Sequence, residues 1–310
     1  MAVYTHIGAE EMAEIVAGFG VGELLSAKGI AEGVENSNYL VDATDGRFIL
    51  TVYEKRVDAA DLPFFLSLLD HLAAKGCPVP RTMHRPDGAQ LMDWRGKKLA
   101  LIEFLPGVSV SVPTPAKAHA VGKALGRMHH AAADFAMTRA NTLGPQGWFA
   151  LAEKCGIGLD EVSSGLRARV ANECEFQRTH WPAHLPYATI HADLFPDNVL
   201  MTGDRVGGMI DFYFACTEVR AWDVAVTHIA WSFPGGRYDA TVGDALTAGY
   251  EATHGLSDEE RAAFPVLARG ACLRFLLTRA WDWLNTPADA LVKRHDPLPM
   301  LARLDHYAAL

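Results

Sequence analysis

The chain has 310 residues, of which 50% are hydrophobic, 9% aromatic and 21% charged; 28 Lys and Arg against 37 Asp and Glu leave a formal net charge of −9. This is enough apolar material for one large or two medium domains, and it excludes a disordered chain or a small disulfide-stapled scaffold. The acidic balance argues against nucleic acid or an anionic membrane as partner, but a locally positive pocket could still take a small anionic ligand.

The first expected element is an amphipathic helix over Ala9–Ala17, and strand-like runs rich in β-branched and aromatic residues follow at Glu23–Ile30, Ser37–Ala43 and Arg47–Tyr53. The last two flank Thr44-Asp45-Gly46, a hairpin signal because Asp and Gly both accept positive φ. Leu62, Phe65, Leu66, Leu69 and Leu72 recur at helical spacing within Ala59–Lys75. Gly76 ends that helix, and Pro78 and Pro80 block its continuation. A second hairpin pairs Gln90–Trp94 with Lys98–Leu105 across Arg95-Gly96.

Beyond Pro106-Gly107 the pattern turns helical, over Pro115–Ala136, Asp160–His180, Ala240–Thr253 and Ser257–Leu284. Thr114 before Pro115 has the form of an N-cap followed by proline at the first helical position. Two short strands interrupt the helices, Asn198–Thr202 and Arg205–Phe212. The expected architecture is therefore α+β and two-lobed. A small β-rich N-terminal lobe (1–105) joins a larger, mainly helical lobe (106–310) through a short linker near Glu103–Gly107, and a ligand is expected between the lobes. Five cysteines, odd in number and without a Cys-x-x-Cys pair, fit reduced thiols in the cytosol. The first residues lack the basic and apolar regions of a secretory signal, and no apolar run approaches the ~18 residues of a membrane span.

The strongest chemical signal is His191-Ala192-Asp193-Leu194-Phe195-Pro196-Asp197-Asn198, which fits the H-x-D-L-x-x-x-N loop of phosphoryl-transfer enzymes. Ile210-Asp211-Phe212 follows at the end of an apolar strand. An acceptor hydroxyl needs a carboxylate to orient it and take its proton, the role expected of Asp193. A magnesium ion on nucleotide phosphates needs hard oxygen donors, the role expected of Asn198 and Asp211. Either half alone would read as turn residues; both in this order, between apolar strands and after a β-rich lobe, read as a site. His191 is expected to pack and hydrogen-bond rather than act as a base.

These residues resemble the aminoglycoside-phosphotransferase-like and choline-kinase-like small-molecule kinases, relatives of the protein kinase fold, over nearly the whole chain. The resemblance implies ATP and Mg²⁺ as cofactors. In Ile102-Glu103-Phe104-Leu105-Pro106-Gly107 it implies a hinge at which backbone groups of Glu103, Phe104 and Leu105 hold adenine. It also implies that Asp223, in Ala221-Trp222-Asp223-Val224-Ala225, braces the catalytic loop. Gly33-Val34-Glu35-Asn36-Ser37-Asn38-Tyr39, Phe48–Lys55 and Ile210–Cys216 are most similar to the homoserine-kinase branch of that family, which implies L-homoserine as the small-molecule acceptor. In that branch Gly33, Asn36, Ser37 and Asn38 would form the turn over the phosphates, where small residues let backbone N–H groups approach; an ordinary polar hairpin is the competing reading. Choline, ethanolamine, methylthioribose and aminoglycosides are the rival acceptors, and a nucleotide-binding regulator without turnover is the rival from another class.

The chain also departs from the pattern. The phosphate-binding lysine of the third strand would fall near Thr51, so Lys55 or another cation would have to serve. Tyr213 replaces the glycine of Asp-Phe-Gly and no Ala-Pro-Glu follows, which argues against a protein substrate. Gly18–Gly22 reads as a helix exit, Gly122-Lys123 lacks the context of a P-loop, His129-His130 reads as a packing pair, and Trp281 and Trp283 as core anchors. Arg274 and Arg279 offer forks for a substrate carboxylate, with an interhelical ion pair preferred. Glu218 is a weak candidate for the substrate ammonium.

Overall fold

The computed structural model describes residues 5–30, 36–54, 57–286 and 294–310. Gly33 and Lys55, both named above, lie outside the described residues. The chain divides into two compact units, Met1–Pro106 and Gly107–Leu310.

In the first unit, helix α1 (Ala9–Phe19) begins at Gly8, whose N–H donates to Glu11 Oε2 at 3.2 Å, and ends at Gly20 with φ +69°. Its buried stripe, Met12, Ile15, Val16 and Phe19, has the i, i+3, i+4, i+7 spacing of an amphipathic helix. The sheet is antiparallel throughout. Strands β1 (Leu24–Ile30), β2 (Ser37–Ala43) and β3 (Gly46–Val52) come first; after helix α2 (Leu62–Ala74) come β4 (Met92–Trp94) and β5 (Lys97–Glu103), giving the order β1-β2-β3-β5-β4. Period-two alternation puts Tyr39, Val41, Phe48, Leu50, Val52, Leu99 and Leu101 into one core with the α1 stripe. Each such side chain, fully buried, contributes roughly 1.5–3 kcal/mol. The opposite face carries the registered rows Asn38–Thr51–Ala100 and Leu40–Ile49–Ile102.

Helix α2 starts three residues later than the spacing predicted, because Asp58 holds residues 59–61 in a turn: Ala60 N–H donates to its carboxylate at 2.9 Å and Asp61 N–H to its carbonyl at 3.0 Å. At its other end Gly76 adopts φ +77°, and Cys77 N–H returns to Leu72 O at 3.0 Å, as a glycine-capped helix end requires.

In the second unit, β6 (Val108–Ser109) precedes α3 (Pro115–Ala131), which Thr114 caps as expected by accepting from Lys117 N–H. There follow α4 (Pro145–Cys155), α5 (Leu159–Val162), α6 (Leu166–His180), β7 (Tyr187–Ile190), β8 (Val199–Thr202), β9 (Arg205–Met209) and β10 (Cys216–Val219). The chain closes with α7 (Arg220–Trp231), α8 (Ala240–Glu251), α9 (Asp258–Asn285) and α10 (Leu298–Ala308). Strands β6-β8-β9 form one small sheet and β7-β10 another. Three expected elements change here, and the first is the helix predicted over Pro115–Ala136, which ends at Ala131. The helix predicted over Asp160–His180 is two helices, broken at Ser163–Gly165, where Gly165 takes φ +78°. The strand predicted to reach Phe212 ends at Met209, because Asp211 turns to φ +65°. Helix α3 packs closely on α8 through glycine: a Cβ on Gly122 would collide with Leu246 O, and one on Gly126 with Thr253 Oγ1.

Candidate active site

Strand β7 delivers the chain to His191, and β8 takes it up again at Val199; the loop between them holds Asp193 and Asn198, two of the residues expected to carry the chemistry. His191 is fully buried. Asp193 N–H donates to its Nδ1 at 3.2 Å, which puts the ring proton on Nε2, and that proton goes to Ile210 O at 3.0 Å. Burial lowers the pKa of this histidine, against the pull of Asp223, so the ring is a neutral strut, as its sequence position suggested. Ile210 N–H in turn donates to Asn198 O at 3.0 Å, tying the segment that bears Asp211 to the end of the loop.

Asp223, on α7 and fully buried, holds the loop from below. Its Oδ2 accepts from His191 N–H at 2.8 Å and its Oδ1 from Ala192 N–H at 2.7 Å. The Oδ2 also takes His129 Nε2 at 3.0 Å, and the other nitrogen of His129 meets Tyr250 Oη at 2.9 Å. Burial raises the pKa of the Asp223 carboxyl, but the hydrogen bond and charge of His129 and the His191 N–H outweigh it, so the group lies below the ordinary carboxylate value. From the other side Arg274 on α9, 2% exposed, donates to Ala192 O. Trp231 Nε1 donates to Leu194 O at 3.0 Å. The loop peptides are thus held by one carboxylate, one guanidinium and one indole.

Asp193 emerges from this frame with its side chain 16% exposed. Asn198 Nδ2 donates to Asp193 O at 2.8 Å and to Asp193 Oδ2 at 3.1 Å, so its amide nitrogen is occupied and its amide oxygen is the atom left to offer. Among the described residues no group of three or more His, Cys, Asp and Glu side chains could hold a metal ion. A hard cation that takes most of its ligands from phosphate and water needs no such group, and one amide oxygen plus the Asp211 carboxylate suits it.

In the first unit the side chains named from the sequence are engaged by the protein itself. Asn36 Oδ1 accepts from Glu54 N–H at 3.2 Å; Ser37 Oγ donates to Glu54 Oε1 at 2.8 Å and accepts from Thr5 N–H at 3.0 Å; Asn38 Oδ1 accepts from Thr51 Oγ1 at 2.8 Å. Lys97 pairs with Glu54. At the expected hinge, Glu103 N–H goes to Arg81 O at 2.9 Å and Phe104 N–H to Arg47 O at 3.1 Å, while Leu105 N–H has no partner among the described residues.

Three contributors escaped the sequence reading. His129 is more than a packing residue, because it bonds the brace carboxylate; Arg274 clamps the loop backbone, a role not read from the sequence; Trp231 was not singled out at all. Glu218, at 6% exposure, accepts from Asn141 Nδ2 at 3.1 Å.

The phosphotransferase enzyme family (APH) matches this chain over residues 26–264, and the chain belongs to it: it is a small-molecule kinase, and kinases of this kind use ATP. Its curated relatives include homoserine kinases. That of Sinorhizobium fredii is 50% identical over 311 residues, covering 100% of this chain and 95% of the relative. That of Zymomonas mobilis is 49% identical over 310 residues, covering 99% and 97%. Among solved structures, an amicoumacin kinase in complex with AMP-PNP, Ca²⁺ and its antibiotic superposes with a TM-score of 0.73 at 15% identity, over 97% of this chain and 94% of that one. The choline kinase of Cryptosporidium parvum superposes with a TM-score of 0.67 at 14% identity, over 97% and 95%. At those identities the likeness shows the fold, the protein-kinase-like α+β fold expected from the sequence.

Proposed function

We propose that this chain transfers the γ-phosphoryl group of ATP to the hydroxyl of L-homoserine, giving O-phospho-L-homoserine for threonine synthesis. The observation that carries the substrate is identity near 50% to homoserine kinases across essentially the full length of both chains. The acceptor oxygen forms a bond to the γ-phosphorus as the bridging P–O bond to ADP breaks, and the hydroxyl proton passes to Asp193 Oδ1 or Oδ2. The work is positioning and charge neutralisation more than covalent chemistry.

Asn198 holds Asp193 through its amide nitrogen and would offer its oxygen, together with the Asp211 carboxylate, to Mg²⁺. When bound, that ion neutralises charge on the nucleotide phosphates. Leu105 N–H is the hinge donor suited to adenine, beside Glu103 and Phe104. With their side chains engaged, Asn36, Ser37 and Asn38 would meet phosphate through backbone N–H groups. No helix among the described residues is long and apolar enough to cross a membrane. We place the enzyme in the cytoplasm, in keeping with five free cysteines and a need for ATP.

The test is a coupled ATP-consumption assay with Mg²⁺ across L-homoserine, choline, methylthioribose and an aminoglycoside. Homoserine should be turned over best, and Asp193→Asn should lose ~10²–10⁴-fold in kcat while still binding nucleotide. Robust activity on another alcohol without homoserine turnover would sink the substrate assignment.

A further inference from the structure

We propose that Arg279 receives the α-carboxylate of the acceptor and thereby selects an amino acid over a simple amino alcohol; this rests on the homoserine reading above. Phe275 and Arg279, one helical turn apart on α9, both address Phe195, two residues beyond Asp193. The Phe275 and Phe195 ring centroids are 4.7 Å apart, and the Arg279 guanidinium carbon lies 5.8 Å from the Phe195 centroid. The guanidinium therefore stands beside the catalytic loop, near enough to Asp193 and Asp197 to feel their charges.

The other substantially buried arginines of this unit have assigned work. Arg220 forks onto Glu260 at 2.7 and 2.6 Å, Arg269 onto Glu173 at 3.0 and 2.7 Å, and Arg274 onto Ala192 O. Arg279 has neither a hydrogen bond nor a carboxylate within ion-pair distance among the described residues. A neighbour in charge is another cation, Arg303 on α10, which donates to Ile229 O at 2.8 Å and covers the Phe233 ring but has no carboxylate partner among the described residues. Burial and the Arg303 charge outweigh the charges of Asp193, Asp197 and Asp296 and lower the pKa of Arg279, so two guanidinium groups share a desolvated place with no carboxylate in ion-pair distance of Arg279 among the described residues.

A carboxylate supplies what that place lacks. The guanidinium fork accepts it with two parallel N–H···O bonds. In homoserine only three carbons separate the hydroxyl oxygen from the carboxylate group, so an acceptor with its hydroxyl at Asp193 keeps its carboxylate in the vicinity of Phe195. The apolar side chains of Phe195, Phe233 and Phe275 exclude water and strengthen the pairing.

The test compares L-homoserine with 3-amino-1-propanol, its decarboxylated counterpart, at saturating ATP. The variants are Arg279→Met, which keeps the stem on Phe195 without the charge, and Arg279→Lys, which keeps the charge without the fork. Arg279→Met should lose ~30-fold or more in kcat/KM for homoserine, chiefly through KM, with the KM for ATP unchanged and turnover of 3-amino-1-propanol kept or raised. Arg279→Lys should recover part of the loss, and both variants should melt within a few degrees of the parent. An unchanged homoserine KM in Arg279→Met, or equal losses on the two acceptors, overturns the inference alone. Turnover of 3-amino-1-propanol or choline but not homoserine by the parent chain overturns both readings.

Discussion

Asp223→Asn changes one atom and should disable the catalytic loop. The carboxylate receives three donors: His191 N–H and His129 on Oδ2, and Ala192 N–H on Oδ1. An amide has one oxygen, so in either orientation its NH₂ faces at least one of these donors, and one buried backbone N–H is left without an acceptor. An unsatisfied buried donor costs about 1–3 kcal/mol, and the opposed donors add to this, so a loss of roughly 2–4 kcal/mol is expected. Ala192 makes the site sensitive: it sits at φ +65°, a conformation that costs a residue with a Cβ about 1–2 kcal/mol and holds only while its neighbours over-determine it. Loss of the Oδ1 bond lets that peptide relax and moves Asp193, the next residue. Urea unfolding gives the stability loss; the coupled assay should give a fall in kcat of ten-fold or more, with the KM for ATP little changed. A variant that lost the expected stability yet kept kcat within two-fold would refute the idea that the brace positions Asp193.

Two further outcomes are expected. Gly122→Ala places a methyl group against the Leu246 carbonyl, so α3 and α8 must separate, and the variant should unfold at lower urea by about 1–3 kcal/mol; unchanged stability would show that the helices slide apart freely. His228, buried against Phe264 and bonded to Tyr307 Oη at 2.6 Å, has its pKa lowered to about 4 by burial and by the His306 charge. The unfolded chain binds that proton near the ordinary value of ~6.5, so the stability held by neutral His228 is whole above that pH and is lost as pH falls toward about 4, at ~1.4 kcal/mol per unit and about 3 kcal/mol in all. Urea midpoints should fall between about pH 7 and about pH 5, and His228→Gln should flatten that slope; an equal slope in the variant would assign the acid sensitivity to other groups.

What could be read from the sequence was whatever a short stretch of chain encodes by itself. The stripe in α1, the hairpin at Thr44-Asp45-Gly46 and the Thr114 cap are local patterns, and so is the spacing of Asp193 and Asn198. Helix α7 was not foreseen because Ala221 to Trp231 are all buried, which leaves no polar stripe to show a helical period. Strands β7 and β10, four residues each, are too short to show an alternation. Asp211 was read as a strand end, whereas its left-handed backbone stops the strand two residues earlier. The His129–Asp223 bond joins residues 94 positions apart, and no spacing rule reaches that far.

The charges around the loop sort by what they are bonded to, a distinction no motif carries. Asp223 and Arg274 are deeply buried, and both bond the backbone of the loop. One takes the N–H of Ala192 and the other donates to its carbonyl, so a single residue in a costly conformation is clamped on both sides. Asp211, the other left-handed residue at the site, follows Ile210, whose N–H goes to Asn198 O and whose carbonyl receives His191 Nε2. One strained position precedes Asp193 and the other is Asp211, both candidate site residues, and the backbone beside each is held by hydrogen bonds that come from elsewhere in the chain. Arg274 already donates to Ala192 O and lies 3.9 Å from the Asp193 carboxylate, so it is the poorer receptor for a substrate anion. On the proposal above Arg279, with the Phe195 ring beside it and no anion in ion-pair distance among the described residues, is the better one.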